Sequence, residues 1–239
     1  MNKSAAACRD IIGTKFAVVM GTPSNLEITN EEWVIILLHE SFHYLQDINT
    51  IENQIKLKNE LFGMDKPWNL KYPFPYENEN VTGIITNLGE LLHKSFIDGL
   101  DEEDKLELAG KFNELKSILD KIDPKHYKYM IHEIEKEGLA KYTEYQLIKF
   151  AKSGYKSLLE FSELPNSEGY DALFDDEELL SHYINRIKFC GKGVKGRMIF
   201  YFLGEGFALF LDKVTPDWKV NYLHGKLFEL FDKICNANK

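Results

Sequence analysis

Cysteine is scarce in this chain, with 3 in 239 residues, and Cys8, Cys190 and Cys235 are odd in number and widely spaced. That excludes a disulfide framework and a thiolate metal cluster, and it fits a reducing compartment. No apolar run approaches the roughly 20 residues needed to cross a bilayer. Arg9 and Asp10 interrupt what would have to be the apolar part of an N-terminal leader. The expectation is a cytoplasmic protein with no membrane partner. Positive charge is also in deficit: 29 Lys and Arg stand against 38 Asp and Glu, a net charge of −9. The basic residues are scattered among acids, whereas a nucleic-acid surface needs clustered Lys and Arg, so a nucleic-acid partner is not expected.

What the chain does hold is aromatic mass, 16 Phe and 12 Tyr, enough to build a core and to exclude a disordered segment. Lys15-Phe16-Ala17-Val18-Val19-Met20, closed by Gly21-Thr22-Pro23, reads as the one convincing strand. From Thr29 onward the apolar period is helical almost throughout. Helices are expected from Thr29 to about Asn49, with a possible continuation to Gly63, and over Val81–Asp98, Glu102–Ile122, Lys125–Lys152, Asp176–Cys190, Arg197–Val214 and Asp217–Ile234. The Pro- and aromatic-rich stretch from Lys66 to Asn80 reads as a packed connection. With no repeat, low-complexity tract or linker in sight, residues 1–239 read as one mainly α domain with a short N-terminal strand region.

One pentapeptide dominates the functional reading. His39-Glu40-Ser41-Phe42-His43 follows the apolar run Trp33-Val34-Ile35-Ile36-Leu37-Leu38, and Thr29 with Glu32 makes a capping box ahead of it. Six consecutive apolar residues point all round a helix, so this one is expected to be buried on every side. Residues four apart on a helix share a face, so His39 and His43 can hold one zinc ion, with Glu40 placed as general base towards a water. The bland alternative is a pair of core histidines hydrogen-bonded to their neighbours.

A catalytic zinc takes three protein ligands and leaves one position for water. The next histidine, His93, is too distant for a compact three-histidine motif, so a carboxylate from another helix is required. Two segments offer one. The first is Glu133-Ile134-Glu135-Lys136-Glu137-Gly138-Leu139-Ala140-Lys141-Tyr142-Thr143-Glu144, in which Glu133, Glu137 and Glu144 share a face, and Gly138 and Ala140 would let the helix approach the motif helix. The second is Gly204-Glu205-Gly206-Phe207-Ala208, which supplies Glu205.

HESFHYLQ with EGLAKYTE far downstream resembles zinc peptidases of the gluzincin type, which pair a His-Glu-x-x-His helix with a glutamate in a Glu-Gly-x-Ala-x-Tyr segment. YFLGEGFALFLDKVTPDWK is similar to a C-terminal segment of uncharacterised bacterial sequences of that kind. The resemblance covers about residues 33–48, 130–148 and 198–222. It implies a single zincin-like helical domain, one Zn2+ per chain held by His39, His43 and Glu137, with Glu137 preferred to Glu205, and Glu40 as the base. The active-site helix would span about 30–49 and the third-ligand helix about 125–152. Glu137 lies further from His43 than in the well-studied members, with room for two helices between, so a peptide or protein substrate is implied but no specificity.

On this reading the protein is a zinc metallopeptidase. Tyr142 and Tyr201 are the candidate donors to an oxyanion, and Gln46, Glu133 and Glu144 are candidate supports for the ligands. His93, His126, His132, His182 and His224 are expected to be surface or satisfied core histidines. A second reading keeps the metal and drops catalysis, giving a zinc-stabilised binding or regulatory protein. A third has no metal and makes the chain a helical interaction protein.

Overall fold

The structure is a computed structural model that describes residues 5–11, 13–62, 71–170, 172–173, 175–223 and 227–236. Gly63, the Lys66–Leu70 part of the aromatic connection, and His224 lie outside the described residues.

The chain begins as a hairpin. Strand β1 (Ala5–Ile11) pairs antiparallel with β2 (Thr14–Met20) in a register running from Ala5 opposite Met20 to Ile11 opposite Thr14. Gly13, with φ +72°, supplies the left-handed residue of the turn. The sequence reading marked only the second strand. Its partner opens Ala-Ala-Ala-Cys-Arg-Asp, a composition of low strand propensity, and pairing rather than side-chain type makes it a strand.

After the short α1 (Pro23–Leu26) comes α2, one unbroken helix over Asn30–Phe62. Its start is built as the sequence implied. Thr29 Oγ1 accepts from the Glu32 amide at 3.1 Å, and the Thr29 amide donates to Glu32 Oε2 at 2.8 Å. Trp33 Nε1 donates to the Gly21 carbonyl, and the buried Glu31 carboxylate accepts from the Gly169 amide at 2.9 Å. These bonds fix the helix between the hairpin and the loop near residue 169. Burial on every side does not hold. His43 is 5% exposed, but Tyr44, Leu45 and Ile48 are 42%, 42% and 46% exposed. One face of α2 packs inwards on the hairpin and on the helical stretch 124–152, and Tyr44, Leu45 and Ile48 lie on its exposed side.

Helix α3 (Glu79–Ile97) and α4 (Glu102–Ile122) form an antiparallel pair, with Asn78 and Asp101 as N-caps. Next comes a rod from Pro124 to Lys152: α5 (Pro124–Glu133), a π turn (Ile134–Gly138) and α6 (Leu139–Lys152). Short α7 (Leu159–Ser162) and α8 (Asp176–Leu179) follow, and α8 runs into a second π turn (Leu180–Ile184). Then come α9 (Met198–Val214), α10 (Trp218–Leu223) and α11 (Leu227–Asn236). The expected helix over Asp217–Ile234 is thus two helices.

Helix α9 is the axis of the core. Every residue from Phe202 to Leu211 is buried, and the helix packs on α3, α6 and the first π turn. Tyr72 and Phe74, in the described part of the aromatic connection, are buried against Tyr129 and Phe200, so that stretch is a packed connection. The buried apolar residues form one cluster spanning α2 to α11, a mainly helical single domain. Among the described residues no helix is long and apolar enough to cross a membrane.

Candidate metal centre

His39 and His43 lie one turn apart on the inward face of α2, with ring centroids 4.7 Å apart and planes at 88°. Each ring has an oxygen close to its Nδ1. His39 Nδ1 stands 2.6 Å from Glu144 Oε1, and His43 Nδ1 stands 2.8 Å from Gln46 Oε1. The Gln46 amide nitrogen donates to the carbonyls of Glu135 and Lys136 at 2.9 and 3.0 Å, so its oxygen must face His43. An amide oxygen only accepts here, which puts the proton of a neutral His43 imidazole on Nδ1 and turns its Nε2 lone pair towards Glu137.

Both Nε2 atoms face Glu137, whose Oε2 is 3.3 Å from His43 Nε2 and 3.9 Å from His39 Nε2. The three donors lie within 4.8 Å of one another and all three residues are buried, so this group could hold a metal ion. Two imidazole nitrogens and one carboxylate oxygen are the donor set of a zinc site with one position left over. The residues fit the ion that the sequence implies. Glu205 does not join them. Its carboxylate is fully buried beside Lys141 and Glu144, neither oxygen has a hydrogen-bond partner among the described residues, and burial raises its pKa well above the ordinary value.

Glu137 reaches the histidines from the first π turn, where the chain is under-wound by one residue, a local feature that recurs at functional sites. The turn is clamped from both sides. Gln46 holds two of its carbonyls from α2 and also donates to Tyr222 at 2.8 Å. On the other side Gly138 lies against Gly204 of α9, so that a Cβ on Gly204 would sit 2.5 Å from the Ile134 carbonyl oxygen. The sequence reading had Gly138 easing the approach to the motif helix, but the backbone it meets is that of α9.

Arg197, at the start of α9, donates from Nη1 to Glu137 Oε1 at 3.2 Å and to Glu133 Oε2 at 2.8 Å, and from Nη2 to Tyr201 Oη at 2.6 Å. Burial works against the charged form of Glu137, but His43, Arg197 and the Tyr201 hydroxyl outweigh it and hold its pKa well below the usual carboxylate range. Burial likewise opposes the His43 imidazolium, and the Glu137 carboxylate reverses this and raises that pKa. Burial pushes Glu133 up to about 7, with Arg197 opposing. Glu144 is held down to about 2 against its burial, by Lys141 and His39. Its Oε2 accepts from Lys141 Nζ at 2.8 Å and Tyr183 Oη at 2.9 Å.

Of the other sequence candidates, Glu40 is half-buried beside His39 on α2. Tyr201 is at the centre, accepting from Arg197 beside Glu137. Tyr142 is not: its hydroxyl donates to Asp212 Oδ2 at 2.7 Å, an acceptor shared with Gln146, while Trp218 and Lys219 bond the other oxygen. Gln46 and Glu144 lie against His43 and His39, and Glu133 accepts from Arg197. The discounted histidines find other partners or bury neutrally: His126 with Tyr72, His93 with Asn185, and His132 in the interior. Sequence reasoning missed Arg197, Lys141, Tyr183 and Tyr222, none of which carries a spacing signal relative to the motif.

No family model, curated protein or solved structure matches the chain.

Proposed function

We propose that this chain is a zinc-dependent metallopeptidase of gluzincin-like design, acting on a peptide or protein. The observation that carries the reading is the convergence of His39 Nε2, His43 Nε2 and Glu137 Oε2 on one point, from residues far apart in sequence. His39, His43 and Glu137 hold the ion. Bound there, zinc supplies the Lewis acidity that activates water and polarises a carbonyl. Glu144 and Gln46 stand at the Nδ1 sides of the imidazoles and turn each Nε2 towards the ion.

Glu40 takes a proton from the attacking water and passes it to the leaving amine. It adjoins His39 on α2 and is half-buried. The Tyr201 hydroxyl accepts from Arg197 and lies beside Glu137, so it would have to turn its proton from Glu137 to the substrate carbonyl oxygen to stabilise charge growing there. Tyr142, committed to Asp212, has no such part.

The test pairs the wild type with Glu40→Gln on a mixture of random peptides, reading new termini by mass spectrometry and zinc by elemental analysis. The reading predicts zinc in both proteins and cleavage lost by about 10²–10⁴-fold in the variant. Equal cleavage by both, or stoichiometric zinc with cleavage by neither, would sink the peptidase reading. The second outcome would leave a zinc-stabilised binding or regulatory protein.

A further inference from the structure

Glu137 has two oxygens, and its surroundings treat them differently. Oε2 points between the histidines, at 3.3 and 3.9 Å from their Nε2 atoms, while Oε1 accepts from Arg197 at 3.2 Å. The guanidinium is itself held at several points. It donates to Glu133 Oε2 at 2.8 Å and to Tyr201 Oη at 2.6 Å, and it lies over the Tyr201 ring at 5.3 Å. Glu133 is fully buried, and Gly196, with φ +60°, turns the chain immediately before Arg197 so that the side chain enters the site as α9 begins.

From this division of the carboxylate we infer that Arg197 is a positioning residue: it reserves Oε1, so that Glu137 offers a single oxygen to a cation between the histidines and one coordination position stays open for water. The inference rests on the zinc reading above. A carboxylate can bind a metal through one oxygen or both. With both free, Glu137 could chelate, and the water that a hydrolytic site needs would lose its place. A planar guanidinium can serve Glu133, Glu137 and Tyr201 at once because its donors are fixed in a fork, which a lysine ammonium lacks. Arg197 also explains why two glutamates one turn apart can be buried together here.

Cobalt substitution reads the coordination number directly, because the visible absorption of Co2+ is intense in four-coordinate sites and weak in more crowded ones. The wild type should take up one Co2+ with an intense band. Arg197→Met should weaken that band by roughly two-fold or more as Oε1 joins the metal. The same variant should bind zinc at least as tightly as the wild type, because a ligand oxygen is released and a nearby positive charge removed. Glu133→Gln/Arg197→Met removes the buried charge that the single change strands, and carries the same expectation should Arg197→Met fold poorly. An unchanged band with weaker zinc binding in these variants would mean that Arg197 merely braces the fold, and would overturn the inference while leaving the zinc reading intact. A wild type that takes up no stoichiometric Co2+ or Zn2+ would overturn both.

Discussion

At the scale of single residues, the free face of each histidine is owed to a partner on the other face. Glu144 stands beside His39 and Gln46 bonds His43, each within 2.8 Å of Nδ1, and both rings meet Glu137 through the same kind of atom. His132, deep in the interior, behaves differently. Burial takes His132 down to about 3, whereas an unfolded histidine titrates near 6.5. A pKa depressed by folding means stability that is complete above the unfolded value and drains away as pH falls towards the folded one. For His132 that window runs from about pH 6.5 to about pH 3, and linkage puts the loss at about 2 kcal/mol by pH 5. Urea unfolding of the metal-free protein at pH 7 and pH 5 should therefore show a smaller stability difference for His132→Gln than for the wild type. Equal differences would mean that His132 takes up its proton in the folded state as readily as in the unfolded one.

Which residues the sequence disclosed at this scale follows from what pattern can carry. His39, His43 and Glu40 declare themselves through a spacing that only a helix makes useful. Glu137 is preferred through the resemblance of EGLAKYTE to a gluzincin segment, since the residues alone leave Glu205 open beside it. Arg197 was not legible, since a single arginine opening a helix is unremarkable until the fold brings it to Glu137. Tyr142 and Tyr201 were indistinguishable as residue types. Asp212 and Trp218, brought beside Tyr142 by the turn after α9, decide between them.

At the scale of elements, the π turn over Ile134–Gly138 is the decisive part. It sets Glu133 towards Arg197 and Glu137 towards both Arg197 and the histidines, and it presents two carbonyls to Gln46. Helical periodicity predicted one continuous helix over this stretch and the rod is indeed continuous, but a single inserted residue leaves no mark in an apolar pattern. The turn survives because α9 lies backbone against backbone with it: a Cβ on Gly138 would sit 2.8 Å from the Phe200 carbonyl oxygen and closer still to Gly204. Gly138→Ala should cost about 1–3 kcal/mol by overpacking, read as a lower midpoint in thermal unfolding, and it should weaken metal binding as Glu137 is pushed from its place. An unchanged midpoint would show that the two backbones can part without loss. The strand β1 and the exposed face of α2 were hidden for a related reason. Strand pairing and the location of neighbouring elements are tertiary facts, and neither six apolar residues in a row nor a run of alanines encodes them.

At the scale of the whole molecule, the candidate centre joins two pieces that the chain keeps far apart: α2, fixed at its start by the hairpin and the loop near residue 169, and the Pro124–Lys152 rod, seated on α9. Helices α3 and α4 lie between them in sequence and pack into the same core. Three buried donors with both imidazoles pre-set would be costly to assemble for packing alone, since buried polar groups demand partners. That economy makes metal binding the central claim. It is tested most directly by elemental analysis of the purified wild type beside Glu137→Ala and Glu205→Ala, the second serving as a change to a buried glutamate outside the centre. The account predicts one zinc per chain in the wild type and in folded Glu205→Ala, and none in Glu137→Ala. Full zinc in Glu137→Ala, with zinc lost from Glu205→Ala, would contradict it.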